Sequence, residues 1–179
     1  MKRFLLLIVV MCCSINMAFS QVIFTSEHLI YKQIKNNVLV KPVGMVDKIL
    51  SKEEGLWKLD YDKLNWFEVR RTTFQEMIDK HIISRERMRE LAEAKEEIAI
   101  TLKFDETGII SYVYFVYNKK KGTLLTDDEL YKISQAYLGK VYSVEGAVEV
   151  WQYDRGPVRR LTSFRGEHTF NIPFDELKF

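Results

Sequence analysis

The chain predicts an α+β fold, a mixed or antiparallel sheet carrying two or three helices, and three stretches make that prediction. Ile98–Tyr117 (IAITLKFDETGIISYVYFVY) reads as two strands around a tight turn, a central β-hairpin over 98–117. Thr126–Gly139 has the signals of a capped amphipathic helix. After Gly139 the chain returns to extended segments separated by Gly- and Pro-bearing turns.

On the first hairpin strand Ile98, Ile100, Leu102 and Phe104 fall on one face, as the period of two requires. Asp105–Gly108 forms the loop, with Gly108 in the left-handed conformation that closes a bulged hairpin. The second strand is apolar on both faces, with Ile109, Val113 and Phe115 on one and Ile110, Tyr112, Tyr114 and Val116 on the other. A strand covered on both sides is expected in the middle of its sheet.

Helix signals lie on either side of the hairpin. Thr73 and Glu76 have capping-box spacing, which predicts a helix over about 74–82 with Phe74, Met77, Ile78 and Ile82 inward. Ser84 is an N-cap candidate for a second helix over 85–97, with Met88, Leu91, Ala92 and the Lys95 stem on its narrow apolar face. The third is predicted from Thr126 as cap, Glu129 as the reciprocal capping residue, Leu125 and Leu130 as hydrophobic staple and Gly139 as stop.

The remaining segments are less regular. Val22–Phe24 reads as a short strand, and Asn37–Val43 as an edge strand or extended arm because Pro42 interrupts it. Ser51–Asp62 reads as a connection, with Trp57, Leu59 and Tyr61 alternating as a short strand would. Extended segments are expected over 147–153, 158–164 and 168–174, with a turn at 154–157.

The first 20 residues have another logic. Lys2 and Arg3 precede the apolar run Phe4–Cys13, and Ala18-Phe19-Ser20 offers the small residues of a cleavage site. The run is shorter than the roughly 20 residues that span a bilayer. The expected organisation is a signal peptide (1–20), an N-terminal extended segment (21–62) counted with the same domain, and an α+β domain (63–179). Export to the periplasm or beyond is the expected location, a lipid anchor at Cys12 or Cys13 being disfavoured by bulky Met11. Without the leader the 27 basic residues fall to 25 against 25 acidic, and both cysteines are gone. A neutral, cysteine-free chain predicts no nucleic-acid partner, no disulfide framework, no thiolate metal site and no transmembrane segment after cleavage.

No catalytic set is legible. Asp127, Asp128 and Glu129 diverge by about 100° per residue on a helix, so capping explains them better than a metal ion does. His28, His81 and His168 have no zinc-site spacing, and no G-x-S-x-G or phosphate-binding loop is present. Ser163 and His168 are near in sequence, with no orienting acid. No catalytic residue, metal or cofactor is therefore expected. The residues left over are aromatic: Tyr112, Tyr114, Trp151 and Tyr153 are the candidate partner-binding face.

The order of parts over Ile98–Phe174 resembles the C-terminal domain of TonB-type energy transducers. The parts are the Phe104–Gly108 turn, the Leu125–Leu130 helix start, the Gly156-Pro157 turn and the terminal Phe170–Phe174 segment. The chain lacks that family's proline-rich spacer and has Gly139-Lys140 where the family places an aromatic-proline pair. The resemblance thus implies the fold and strand-mediated protein contact, not force transduction. The expected function is a non-catalytic exported binding module. The alternatives are a small exported hydrolase with a site assembled across the fold, and a TonB-like subunit of an envelope complex.

Overall fold

A computed structural model describes residues 21–46, 56–105, 107–151, 166–172 and 174, with 56–59 and 148–151 described as backbone. The predicted signal peptide, Tyr153, Ser163, the 154–157 turn and the 158–164 strand lie outside the described residues. The described chain is α+β, with one six-stranded antiparallel sheet and three helices.

The sheet begins with an N-terminal meander of β1 (Gln21–Thr25), β2 (Leu29–Ile34) and β3 (Asn37–Pro42). The expected hairpin follows as β5 (Ala99–Phe104) and β6 (Ile110–Asn118), and β8 (Gly166–Asn171) closes the set. Their order in space is β1-β2-β3-β6-β5-β8, which puts β6 in the interior as predicted. A separate two-stranded ladder pairs β4 (Leu56–Leu59) with β7 (Val148–Trp151). The segment read as a connection thus contains a strand.

β3 is not an edge strand. It lies between β2 and β6, and Pro42 is tolerated because the ladder to β6 ends at the Val40–Phe115 pair. Alternate residues of an antiparallel strand direct their N–H groups to opposite neighbours. Pro42 occupies a position whose donor would face β6 beyond that ladder, so no sheet hydrogen bond is lost.

The three helices are α1 (Trp66–Asp79), α2 (Arg85–Glu93) and α3 (Asp127–Tyr137). α1 starts well before the Thr73/Glu76 signal. Val69, Thr73, Phe74, Met77 and Ile78 form one buried stripe at helical spacing, and that period outweighs the local capping pattern. Thr73 sits mid-helix and donates its hydroxyl to the Val69 carbonyl at 2.7 Å. α2 stops at Glu93, short of the expected 97. Lys95 takes a left-handed φ of 52°, and Glu96 N–H bonds back to Leu91 O at 2.9 Å. This Schellman closure leaves Lys95 exposed instead of on the apolar face. α1 ends the same way on His81 (φ 54°), with Ile82 N–H on Met77 O at 2.8 Å.

α3 has the predicted caps. Thr126 accepts from Glu129 N–H at 3.2 Å and Glu129 reaches back to Thr126 N–H at 2.8 Å. Leu125 and Leu130 are both buried. Arg87 of α2 grips the same Glu129 through Nε (2.8 Å) and a terminal nitrogen (3.3 Å), and donates to Leu124 O at 2.7 Å. Burial alone would raise the Glu129 carboxyl, but Arg87 and the Thr126 backbone hold it below its ordinary value.

The core fills one side of the sheet, where Leu29, Val40, Ile100, Leu102, Val113 and Phe115 meet Phe74, Met77, Met88, Leu91, Leu130 and Ile133. An irregularity in the β5–β6 register pairs Lys103 with Tyr112 but Phe104 with Ile110, leaving Ser111 unopposed. The bulge turns Ile110 into the core and leaves Ile109 exposed, reversing the faces read for these two residues. Gly108 does adopt the expected left-handed φ, 82°, and a Cβ there would lie 2.0 Å from Tyr142 O.

Gly108→Ala is expected to cost well over the ~1 kcal/mol of a left-handed alanine, because the backbone contact must also open. Gly122→Ala, at φ 72° with nothing within 4 Å, should cost only about 1 kcal/mol. Urea denaturation of the two variants checks this, and equal losses would refute the close approach.

Candidate functional site

Of the four aromatic residues singled out from sequence, the structure brings Tyr112 and Tyr114 together on β6. They lie on the face opposite the helices, with ring centroids 5.9 Å apart. Lys103 Nζ lies 5.4 Å from the Tyr112 centroid and 5.8 Å from that of Tyr114, and Lys41 Nζ lies 5.8 Å from Tyr112. Tyr114 Oη donates to Glu167 Oε1 at 2.8 Å, and Glu167 Oε2 is 3.3 Å from Lys103 Nζ. Burial, with Glu167 behind it, raises the Tyr114 phenol above its ordinary value. These side chains satisfy one another, and Tyr112 is only 6% exposed. Trp151 belongs to β7 in the smaller ladder, and Tyr153 lies outside the described residues.

The three histidines occupy unrelated places. His28 stacks on Tyr131 of α3 at 4.4 Å, and His81 terminates α1. His168 on β8 is buried among the rings of Trp66 (5.2 Å), Phe170 (5.3 Å), Tyr61 (5.7 Å) and Tyr142 (5.9 Å). Arg70 reaches over Trp66 and Phe170. Tyr142 Oη is 3.1 Å from His168 Nδ1. Burial raises the Tyr142 phenol far above neutral pH, so the phenol stays protonated and shares a hydrogen bond with Nδ1. A cleft of about 530 Å³ lined by Tyr61, Glu167, His168 and Thr169 opens beside it. The Glu167 carboxylate in that cleft is committed to Tyr114 and Lys103. His168 is thus held among four rings, one of them the Tyr142 phenol that it hydrogen-bonds, and among the described residues no carboxylate orients it as a general base.

The acidic trio is dispersed among separate partners. Asp127 accepts from Tyr31 Oη at 2.5 Å, Asp128 pairs with Lys132 at 2.7 Å, and Glu129 serves the cap and Arg87. Among the described residues no cluster of three His, Asp or Glu side chains is arranged to hold a metal ion. No helix among them is long and apolar enough to cross a membrane.

The feature with unmet binding capacity is the β1 edge. Among the described residues β1 pairs with β2 on one side only, and all five of its residues are exposed. Val22 (55%), Ile23 (51%) and Phe24 (55%) are consecutive large apolar side chains left in water. A bulge between Val22 and Phe24 gathers Ile23 and Phe24 on the helix side. There they line a groove of about 390 Å³ with Tyr31, Val38, Tyr117 and Leu125, and Asp127 at its polar end. Reading Val22–Phe24 as a short strand did not reveal this edge, because Leu29–Ile34 was not recognised as the strand beside it. The signal was present in the alternation of Leu29 and Tyr31 with Ile30 and Lys32.

No family model matches the chain, and no curated protein matches it. Among solved structures the chain is similar to a crystal structure of a DUF5043 family protein from Bacteroides uniformis. Identity is 11% and the TM-score 0.37, over 83% of this chain and 90% of that one. Likeness of that degree assigns neither a family nor an activity.

Burial holds the His168 pKa down at about 4, with Arg70 adding to the effect, against an ordinary 6.5. Between these values the unfolded chain binds a proton that the folded chain refuses. Stability is therefore expected to fall as pH drops from about 6.5 to about 4, by on the order of 3 kcal/mol in all. His168→Gln should remove that slope. Glu76, held at about 2 by hydrogen bonds from Lys140 and Lys80 against an ordinary 4.5, contributes its own loss from about pH 4.5 downward, equally in both proteins. Urea midpoints measured from pH 7 to pH 4 test the difference, and parallel curves would contradict it.

Proposed function

We propose that this protein is a non-catalytic, exported interaction module that engages a protein partner by accepting a strand at the free edge of β1. The observation that carries the reading is that edge, five exposed residues with three adjacent apolar side chains and a groove beside them. An unpaired strand offers a row of backbone donors and acceptors, and alternate side-chain contacts supply selectivity. The histidines and carboxylates weighed for chemistry, by contrast, have structural roles: His81 ends a helix, His168 is held by Tyr142, and each acidic side chain of 127–129 has its own partner. The strand-mediated contact that the resemblance to TonB-type transducers implies falls here to β1, outside the resembling stretch. The leader-like N-terminus supports export, and its removal after Ser20 would leave β1 at the start of the mature chain.

A photo-crosslinking amino acid at Ile23, in the full-length chain produced in its own host, is expected to yield a discrete adduct. The same group at His81 should yield none. Mass spectrometry of the recovered protein should find a chain beginning at Gln21 in the extracytoplasmic fraction. Equal crosslinking from both positions would overturn the binding edge, and an intact N-terminus in the cytosol would overturn export.

A further inference from the structure

We propose that the strand accepted by β1 is β1 of a second copy, paired antiparallel about a two-fold axis near Ile23. This rests on the reading of β1 as an interaction edge and names its occupant. Three observations favour a copy of the same chain.

The first is self-complementarity. A two-fold at Ile23 sets Gln21 opposite the partner's Thr25 and brings the two Val22–Phe24 triplets together, and a two-fold contact needs one patch that fits itself. The second is the side-chain composition of the strand. QVIFT carries no charged side chain and no proline, two devices by which exposed edges avoid pairing with their own copies; its one irregularity is the bulge between Val22 and Phe24.

The third is charge at the two ends. The Gln21 end adjoins Gln33, whose Oε1 accepts from Lys119 Nζ at 2.7 Å, and the turn residue Lys35. The Thr25 end leads into Glu27, whose side chain is 87% exposed. Antiparallel pairing sets the acidic end of each copy against the basic end of the other, whereas parallel pairing would set like against like. The product is a continuous sheet built from two six-stranded halves. An edge this short buries less than a permanent dimer does, so association is expected to be reversible, with Kd on the order of micromolar.

Sedimentation velocity of the full-length protein over a concentration series tests the proposal, with circular dichroism to verify folding. The wild type should pass from monomer to dimer. Ile23→Lys should weaken association roughly tenfold or more, by placing two like charges at the axis. Glu27→Lys should weaken it less, and adding Lys35→Glu to that variant should restore it. The Ile23 photo-adduct should contain residues 21–25 of a second copy. A dimer indifferent to Ile23→Lys overturns the proposal. A monomer at every concentration whose Ile23 crosslinks a different protein overturns it too, while leaving the interaction-module reading intact. A monomer without any adduct overturns both.

Discussion

The β3–β6 ladder holds the sheet together. Its four pairs, from Asn37–Asn118 to Val40–Phe115, make the N-terminal meander and the central hairpin a single sheet. Other contacts follow the line of that seam. Lys119 N–H bonds Asn36 O at 2.9 Å, Tyr31 reaches Asp127, and Met45 Sδ stands 3.2 Å from Val113 N where the ladder has ended. The helices need this seam as well, because the floor beneath them includes Leu29 and Val40 from one side and Val113 and Phe115 from the other. Without it, β1 and β2 would have no core to pack against, since a short meander alone is marginal in water.

Polar anchors join the helices in addition to their buried apolar faces. Arg87 connects α2 to the capping box of α3, so one guanidinium secures both the helix pair and the first turn of α3. Lys140 and Lys80 converge on Glu76 and tie the end of α3 to α1. Asn65 is not a side-chain cap for α1; its Oδ1 accepts from Ser143 N–H at 2.7 Å and ties the start of that helix to the loop before β7. The bonds of Arg87, Lys140 and Lys80 are charge-assisted, and bonds of that kind contribute about 1.5–3 kcal/mol each where they are shielded and less where water competes.

Legibility in the sequence followed the range of the interaction. α3 was readable because Leu125, Thr126, Glu129, Leu130 and Gly139 all act within one or two turns. The hairpin was readable for the same reason, since Gly108 and the alternation of Ile98 to Phe104 are local. β2 was less so, because the alternation in LIYKQI is short and its partners, β1 and β3, are set by the whole sheet. Pro42 misled as an edge marker because its tolerance depends on where a neighbouring ladder stops. The Ser111 bulge was hidden because it arises from register against β5. The candidate edge was half legible: Val22–Phe24 read as extended, but its openness is a property of the whole sheet. Tyr112 and Tyr114 were correctly placed on one face, while the lysines and glutamate that occupy them come from β3, β5 and β8.

The place of β8 has a consequence for how the chain is made. It lies against β5 and sends His168 and Phe170 into the aromatic layer beneath α1, while Gly166 leaves room for the Phe104 ring, which a Cβ there would meet at 2.2 Å. The strand that completes this layer therefore leaves the ribosome after every other described strand and helix. Until it does, Phe104, Tyr142 and Trp66 lack the surface they pack on, and the chain remains open behind its N-terminal meander.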